Sequence, residues 1–262
     1  MKAFFKSFLS KFFYFLPKKM QNHLRCFFNN LFNRDFKVFF KKNYLHFIFS
    51  KNHEFKCYAN INTGIIIDEV KNVIKGYLQK YFLKKGDFLL DIGGHIGIFS
   101  LYASKLIGDS GKIFVFEPDK KNYLNAKQNI QLNNLSNIVI FNKGIWDKDT
   151  SLFFSNSGTA KSSLIKSKLS KKVSVVKLDN EIKRLSAKKI NFVKMDIEGA
   201  EINAIKGFND FLKKNKTNLA IASYHIVNGE KTFIKLEKML KKLGYNVETS
   251  FPQHLTTFAT KS

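Results

Sequence analysis

The sequence predicts an α/β protein: a mostly parallel sheet with helices on both faces and an antiparallel strand pair at its end. Three observations carry this. Apolar runs and amphipathic stretches alternate over 88–92, 97–107, 112–117, 119–133 and 138–142, and such alternation builds parallel sheets through crossover helices. The first run, Phe88-Leu89-Leu90, enters a glycine-rich turn, Asp91-Ile92-Gly93-Gly94-His95-Ile96-Gly97, which opens onto the helical stretch Ile98 to Ile107. Successive apolar runs end in acids, Asp91, Glu117 and Asp196, which an open parallel sheet gathers at the carboxyl ends of its strands.

A chain of 262 residues supports one large domain and a small extension. We place the extension at 1–50 and the main domain at 51–262. The net charge of +25 is unevenly spread, because residues 1–50 hold ten Lys/Arg against the single acid Asp35. They also hold fourteen of the 29 Phe, and the extension reads as basic, Phe-rich and helical. Phe4, Phe5, Phe8, Phe12, Phe13 and Leu16 recur at helical spacing, with Lys2, Lys6 and Lys11 on other faces and Pro17 as a stop. Such a helix at 1–16 suits an anionic membrane surface or packing on the domain. No stretch reaches the roughly 18–20 apolar residues needed to span a bilayer. Lys6 and Lys11 interrupt the apolar run, against a secretory signal. Cys26 and Cys57 fit neither a disulfide framework nor a zinc spacing. A cytoplasmic location is expected, peripheral to the membrane face if the helix binds there.

Within the main domain, Phe55 to Ile67 reads as a short hairpin and Asp68 to Phe82 as a helix with Val70, Val73, Ile74, Tyr77, Leu78 and Tyr81 on one face. After the alternating core, Ser155 to Lys172 is a polar stretch without periodicity, read as a loop over the site. Asn191 to Met195 is a strand, followed by a turn and a helix running toward Phe211. Leu219 to Tyr224 is a strand and Glu230 to Leu243 a helix. Tyr245–Thr249 and Thr256–Thr260 form the closing pair around Pro252.

The glycine turn brings backbone N–H groups close to a ligand, since no Cβ blocks the approach. A dinucleotide site wants G-x-G-x-x-G around a pyrophosphate. Here an acid precedes the first glycine by two residues, which disfavours phosphate and suits a cationic or neutral ligand. Glu117, twenty residues past Gly97, is placed to accept hydrogen bonds from ribose hydroxyls. S-adenosylmethionine carries a sulfonium, an ammonium and a ribose, and no phosphate. Residues 91–97 resemble the first motif of class I S-adenosylmethionine-dependent methyltransferases.

Taken with Phe116-Glu117-Pro118, with Val173-Ser174-Val175-Val176-Lys177-Leu178-Asp179-Asn180, and with Lys194-Met195-Asp196-Ile197-Glu198-Gly199-Ala200-Glu201, the chain resembles the FkbM family of methyltransferases over about residues 60–260. The D-x-E-G-A-E element is the most specific part. Gly94-His95 departs from the usual small residue plus Asn. The resemblance implies a Rossmann-like, seven-stranded class I methyltransferase domain at 51–262, with S-adenosylmethionine as cofactor. The expected cofactor residues are Asp91, Gly93, Gly94, His95, Gly97, Glu117, Pro118, Asn142 and Gly144. It also implies methyl transfer to a hydroxyl of a glycan, lipid-linked sugar or secondary metabolite.

For the chemistry, the candidates are Asp196, Glu198 and His225, the last following the strand Ile221-Ala222-Ser223-Tyr224. A hydroxyl acceptor gains from a general base, and a neutral imidazole suits that work. Asp196 and Glu198 could also hold a cation, but two carboxylates make no case for magnesium, and no metal is expected. The basic charge raises two alternatives, an RNA ribose O-methyltransferase and a non-enzymatic nucleic-acid-binding module. The N/D-P-P-Y/F element of N-methylating enzymes is missing at Asp196-Ile197-Glu198-Gly199, and both cysteines lie too early for a C5-cytosine enzyme. A nucleic-acid partner is therefore not expected.

Overall fold

The computed structural model describes residues 16–49, 53–58, 63–154, 171–187, 189–251 and 254–261. The helix expected over 1–16 and most of the loop expected at 155–172 lie outside them. The chain divides into two compact units, Met1–Asp68 and Glu69–Ser262; the sequence reading drew its line at 50/51.

In the first unit, helix α1 (Lys18–Phe32) precedes three antiparallel strands, β1 (Phe36–Lys41), β2 (Tyr44–Phe49) and β3 (Glu54–Tyr58). The strands alternate, so Phe36, Val38, Leu45, Phe47, Phe55 and Cys57 face inward and are buried. Phe47 stacks on Phe55 at 5.0 Å. The Asn30 side chain ties α1 to β1 by bonding both the N–H and the carbonyl of Val38, each at 2.8 Å. Phe36–Lys41 and Tyr44–Phe49 are thus strands where a helical extension was expected. The hairpin expected at Phe55–Ile67 is instead β3 pairing back onto β2.

Helix α2 (Thr63–Asn72) runs into a π-helical turn at Val73–Tyr77. It starts five residues before the expected Asp68 and stops short of Phe82. The wider turn re-aims the last side chains, a device common near functional sites.

The second unit is built on β4 (Phe88–Ile92), α3 (Ile98–Ile107), β5 (Lys112–Phe116), α4 (Lys120–Leu132) and β6 (Ile138–Phe141). The Asp119 carboxylate caps α4 by accepting from the N–H groups of Lys121 and Asn122. Then come β7 (Gly144–Trp146), β8 (Thr150–Phe154), β9 (Lys171–Lys177) and α5 (Leu178–Arg184). Strand β9 pairs with β7 and β8 in a separate small sheet. Next are β10 (Phe192–Met195), α6 (Glu201–Lys206), α7 (Asn209–Lys214) and β11 (Asn218–Ala222). The expected single helix toward Phe211 breaks at Gly207, where an added Cβ would lie 2.2 Å from the Trp146 carbonyl oxygen. The short strands β12 (Ile226–Val227) and β13 (Glu230–Lys231), helix α8 (Thr232–Lys242), and the strands β14 (Asn246–Ser250) and β15 (Thr256–Thr260) complete the unit.

The main sheet has seven strands in the order β14-β15-β11-β10-β4-β5-β6. Strands β6 to β11 along this order are parallel, and β15 and β14 are antiparallel. The chain leaves β4 toward β5 and β6, then returns to β10 on the other side. The switch point lies between the carboxyl ends of β4 and β10, where open sheets bind ligands. Leu90, Ile92, Phe114, Phe116, Val193, Met195, Leu219 and Ile221 share one buried core. By strand alternation, Asp91 and Lys194 belong to the other face.

Candidate active site

The turn after β4 is made of backbone. Gly93 has φ +78, and an added Cβ would sit 1.9 Å from the carbonyl oxygen of Asp196 on the neighbouring strand end. A Cβ on Gly94 would sit 2.2 Å from Cγ1 of Val115. The N–H groups of Gly93 and Gly94 both donate to the carbonyl of Phe116. Gly97, at φ +90, starts α3. His95 is left-handed at φ +49. Its backbone N–H donates to Oε2 of Glu117 at 2.8 Å, and its Nδ1 lies 3.1 Å from Glu69.

Glu117 is buried and also accepts from the N–H of Asp119 at 2.8 Å. Burial pushes its carboxyl up to about 7, against the pull of those two N–H groups and of the His95 and Lys194 charges. Two N–H bonds leave lone pairs on both oxygens for further donors. Asn142 braces this corner, its amide donating to the carbonyls of Glu117 and Pro118 at 2.9 Å each. Gly144 packs beside Pro118, where an added Cβ would lie 3.5 Å from the proline ring.

Asp91 faces inward. Its carboxylate accepts from Ser100 at 2.7 Å and pairs with Lys194 at 3.1 Å. Lys194 also donates to the Gly93 carbonyl at 2.6 Å. Asp91 therefore fixes the glycine turn to α3 and β10.

The turn after β10 is made of side chains. Asp196, Glu198 and His225 each bring a donor atom within 4.8 Å of the other two. His225 Nε2 lies 3.6 Å from Asp196 Oδ1 and 3.5 Å from Glu198 Oε2, while Nδ1 lies 2.9 Å from Glu201. Glu201 is fully buried and accepts from the backbone N–H groups of Ile197 and Gly199. Glu198 is held left-handed at φ +54, a conformation that costs a non-glycine residue about 1–2 kcal/mol and gathers at functional sites.

The other oxygen of Asp196 accepts from Tyr77 at 2.8 Å, with His254 Nε2 3.7 Å away. Burial alone would raise the Asp196 carboxyl; His254, Lys194, His225 and Tyr77 together hold it down at about 2. Burial would lower His225, but Glu201, Asp196 and Glu198 outweigh it and shift it upward. Burial and the charges of Asp196 and Glu201 push Glu198 upward, against the pull of His225 and His254. Three groups this close titrate as a unit.

The three expected catalytic residues thus meet in one place. Of the expected cofactor residues, Gly93, Gly94, His95 and Gly97 form the turn, and Glu117, Pro118, Asn142 and Gly144 lie at the end of β5 and the turn after β6. Asp91 does not join them, because it is fully buried and paired with Ser100 and Lys194. Tyr77, Lys194, Glu201 and His254 were missed. Lys194 carried a signal, since a lysine inside an apolar strand needs a buried partner. Tyr77 and His254 carried none, because they reach Asp196 from distant parts of the chain.

The family model for the methyltransferase FkbM domain matches residues 91–247. No curated protein matches the sequence. Among solved structures, the chain is similar to methyltransferase FkbM from Methylobacillus flagellatus KT, at 20% identity over 69% of this chain and 45% of that one, with TM-score 0.52. The chain therefore spans less than half of that protein's length. It is also similar to fibrillarin of Aeropyrum pernix, solved with natively bound S-adenosyl-L-methionine, at 10% identity over 86% of this chain and 99% of that one, TM-score 0.50. At these identities the likeness is one of fold. With more than half of its length matched by the family model, the chain belongs to the FkbM methyltransferase domain family.

Proposed function

We propose that this chain is an S-adenosylmethionine-dependent O-methyltransferase, acting on a hydroxyl of a glycan, lipid-linked sugar or secondary metabolite. The observation that carries the reading is the pairing of two unlike strand ends. Glu117 is a buried carboxylate with acceptor capacity to spare, and the Asp196, Glu198 and His225 cluster lies across the Gly93 contact. The residues fit the cofactor, because the glycine turn packs closely enough on Asp196 and Val115 that any Cβ on Gly93 or Gly94 would collide, which brings the Asp196 cluster up to the turn, and because Glu117 can accept both ribose hydroxyls.

S-adenosylmethionine supplies a methyl group already activated on a sulfonium sulfur. The protein's main task is then alignment of an in-line attack. Asp196, charged across the physiological range, accepts the acceptor hydroxyl's hydrogen bond through Oδ1, which has no hydrogen-bond partner among the described residues. With the cofactor bound, the oxygen–carbon bond would form as the carbon–sulfur bond breaks, and the carboxylate and imidazole cluster would take the hydroxyl proton and pass it to water past half-exposed Glu198.

Titration calorimetry with S-adenosylmethionine should show one site. Labelled methyl transfer into fractionated cell extract should then place label in glycan, lipid or a small hydroxylated molecule. Label in RNA would move the reading to a ribose O-methyltransferase. No binding by the intact protein would overturn it.

We also propose contact with an anionic membrane surface through residues 1–16, of which 1–15 lie outside the described residues, and with it a place at the cytoplasmic membrane face. Helix α1 supports this, since Met20, Phe27 and Leu31 share an exposed face beside Phe32, itself 79% exposed. No described helix is long and apolar enough to cross a bilayer. Sedimentation with anionic vesicles should weaken in high salt and on replacing Phe27, Leu31 and Phe32 by Ser. Sedimentation unchanged by both would overturn the proposal.

A further inference from the structure

We propose that Asp196, Glu198 and His225 hold a divalent transition-metal ion, with Glu201 as the residue that orients His225. Three features of the cluster lead there. Its three donor atoms lie within 4.8 Å of one another, and His225 Nε2 stands 3.5–3.6 Å from the two carboxylate oxygens, ligand-to-ligand distances for metal bonds of about 2.1 Å. They are too long for hydrogen bonds. The imidazole is 91% buried, and neither ring nitrogen makes an aligned hydrogen bond among the described residues although Nε2 points between two carboxylates. The opposite nitrogen lies 2.9 Å from Glu201, whose carboxylate is itself pinned by two backbone N–H groups. A carboxylate behind a histidine is the usual support of a metal-ligating imidazole.

The donor set decides the class of ion. Two carboxylates and one imidazole suit manganese, iron or zinc better than magnesium, which favours oxygen donors. Asp196 keeps its second oxygen on Tyr77 and so offers one. Glu198 is half exposed on the solvent side, which leaves coordination positions open for water or an acceptor hydroxyl. On the O-methyltransferase reading above, on which only this last step rests, Asp196 Oδ1 and His225 Nε2 would be held by the ion, which would stabilise the developing alkoxide while the hydroxyl proton leaves directly to water, in place of the path through the carboxylates and imidazole.

The test uses the full chain and Mn2+ alone, followed by electron paramagnetic resonance and calorimetry, without S-adenosylmethionine. One Mn2+ should bind per chain. Glu198→Gln and His225→Ala should weaken it at least tenfold, and Glu201→Gln by roughly 10–100-fold. S-adenosylmethionine binding by Glu198→Gln, measured in parallel, should match the wild type and reports that the variant is folded. No Mn2+ bound by the wild type, or binding unchanged in both Glu198→Gln and His225→Ala, would overturn the metal site. Cofactor binding without metal binding would leave the methyltransferase reading standing, and metal binding without cofactor binding would do the reverse.

Discussion

The two turns at the switch point share a plan and differ in material. Each follows a central parallel strand, each has an aspartate near the strand end, Asp91 within β4 and Asp196 just past β10, and each contains a left-handed non-glycine residue, His95 at φ +49 and Glu198 at φ +54. In the first, the aspartate is spent inside, on Ser100 and Lys194, and what is left is a tight glycine backbone with the His95 side chain on Glu69. In the second, one oxygen of Asp196 stays unpartnered among the described residues and faces Glu198 and His225. The same local architecture therefore makes a shape-selective cradle on one side and a concentrated polar cluster on the other. What separates them is Lys194, which neutralises the first aspartate from below the turn.

If the second turn does the chemistry, its aspartate should matter most to rate. Asp196→Asn, nearly isosteric, should keep the fold by circular dichroism and lower turnover by ~10²–10⁴-fold. Near-normal turnover would mean that alignment alone drives the reaction.

If the first turn acts through backbone, its glycine should matter most to shape. Gly93→Ala should lose about 2–4 kcal/mol of stability through its left-handed φ and the collision with Asp196, read by urea denaturation. A wild-type midpoint would show that the two strand ends do not meet as described.

Glu117 links the first turn to the ligand. Glu117→Ala should weaken S-adenosylmethionine binding by about 1–3 kcal/mol. Its carboxyl, raised from 4.5 to about 7, also sets a pH dependence. Ribose hydroxyls favour the charged form, so affinity should rise with pH up to about 7 and then level, by at most about tenfold per unit. Stability of the ligand-free protein has the opposite sign. The folded state binds the extra proton between pH 4.5 and about 7, so this group's contribution falls as pH rises through that window. Affinity flat from pH 5 to 8 would remove Glu117 from the ribose site.

The smallest effect is expected at Gly199, left-handed at φ +99 with only a Val227 methyl 3.1 Å from an added Cβ. Gly199→Ala should cost about 1–2 kcal/mol, less than Gly93→Ala. A larger loss there would erase the distinction between a backbone-built and a side-chain-built turn.

Much of this was legible along the chain. The glycine turn, Glu117 and the acidic end of β10 are local signals, written in spacing and in the order of apolar runs. Strand alternation and a switch point follow from the same runs, because parallel strands need helical crossovers of one hand. Composition misled where strands and helices share residue types. The Phe-rich stretch 36–49 looked helical by its neighbours, yet its alternation builds a buried sheet.

The sequence by itself determined the main sheet of the second unit, the family, and the three residues that converge beyond β10. Tertiary structure alone decided how they are used. Tyr77 and His254 approach Asp196 from 119 and 58 residues away in sequence, and no periodicity encodes such a meeting. Lys194 and Asp91 cancel because β4 and β10 lie side by side in register, which leaves Asp196 as the aspartate with an oxygen to offer. Charge in a buried site is set by what packs against it, and that depends on neighbours in space.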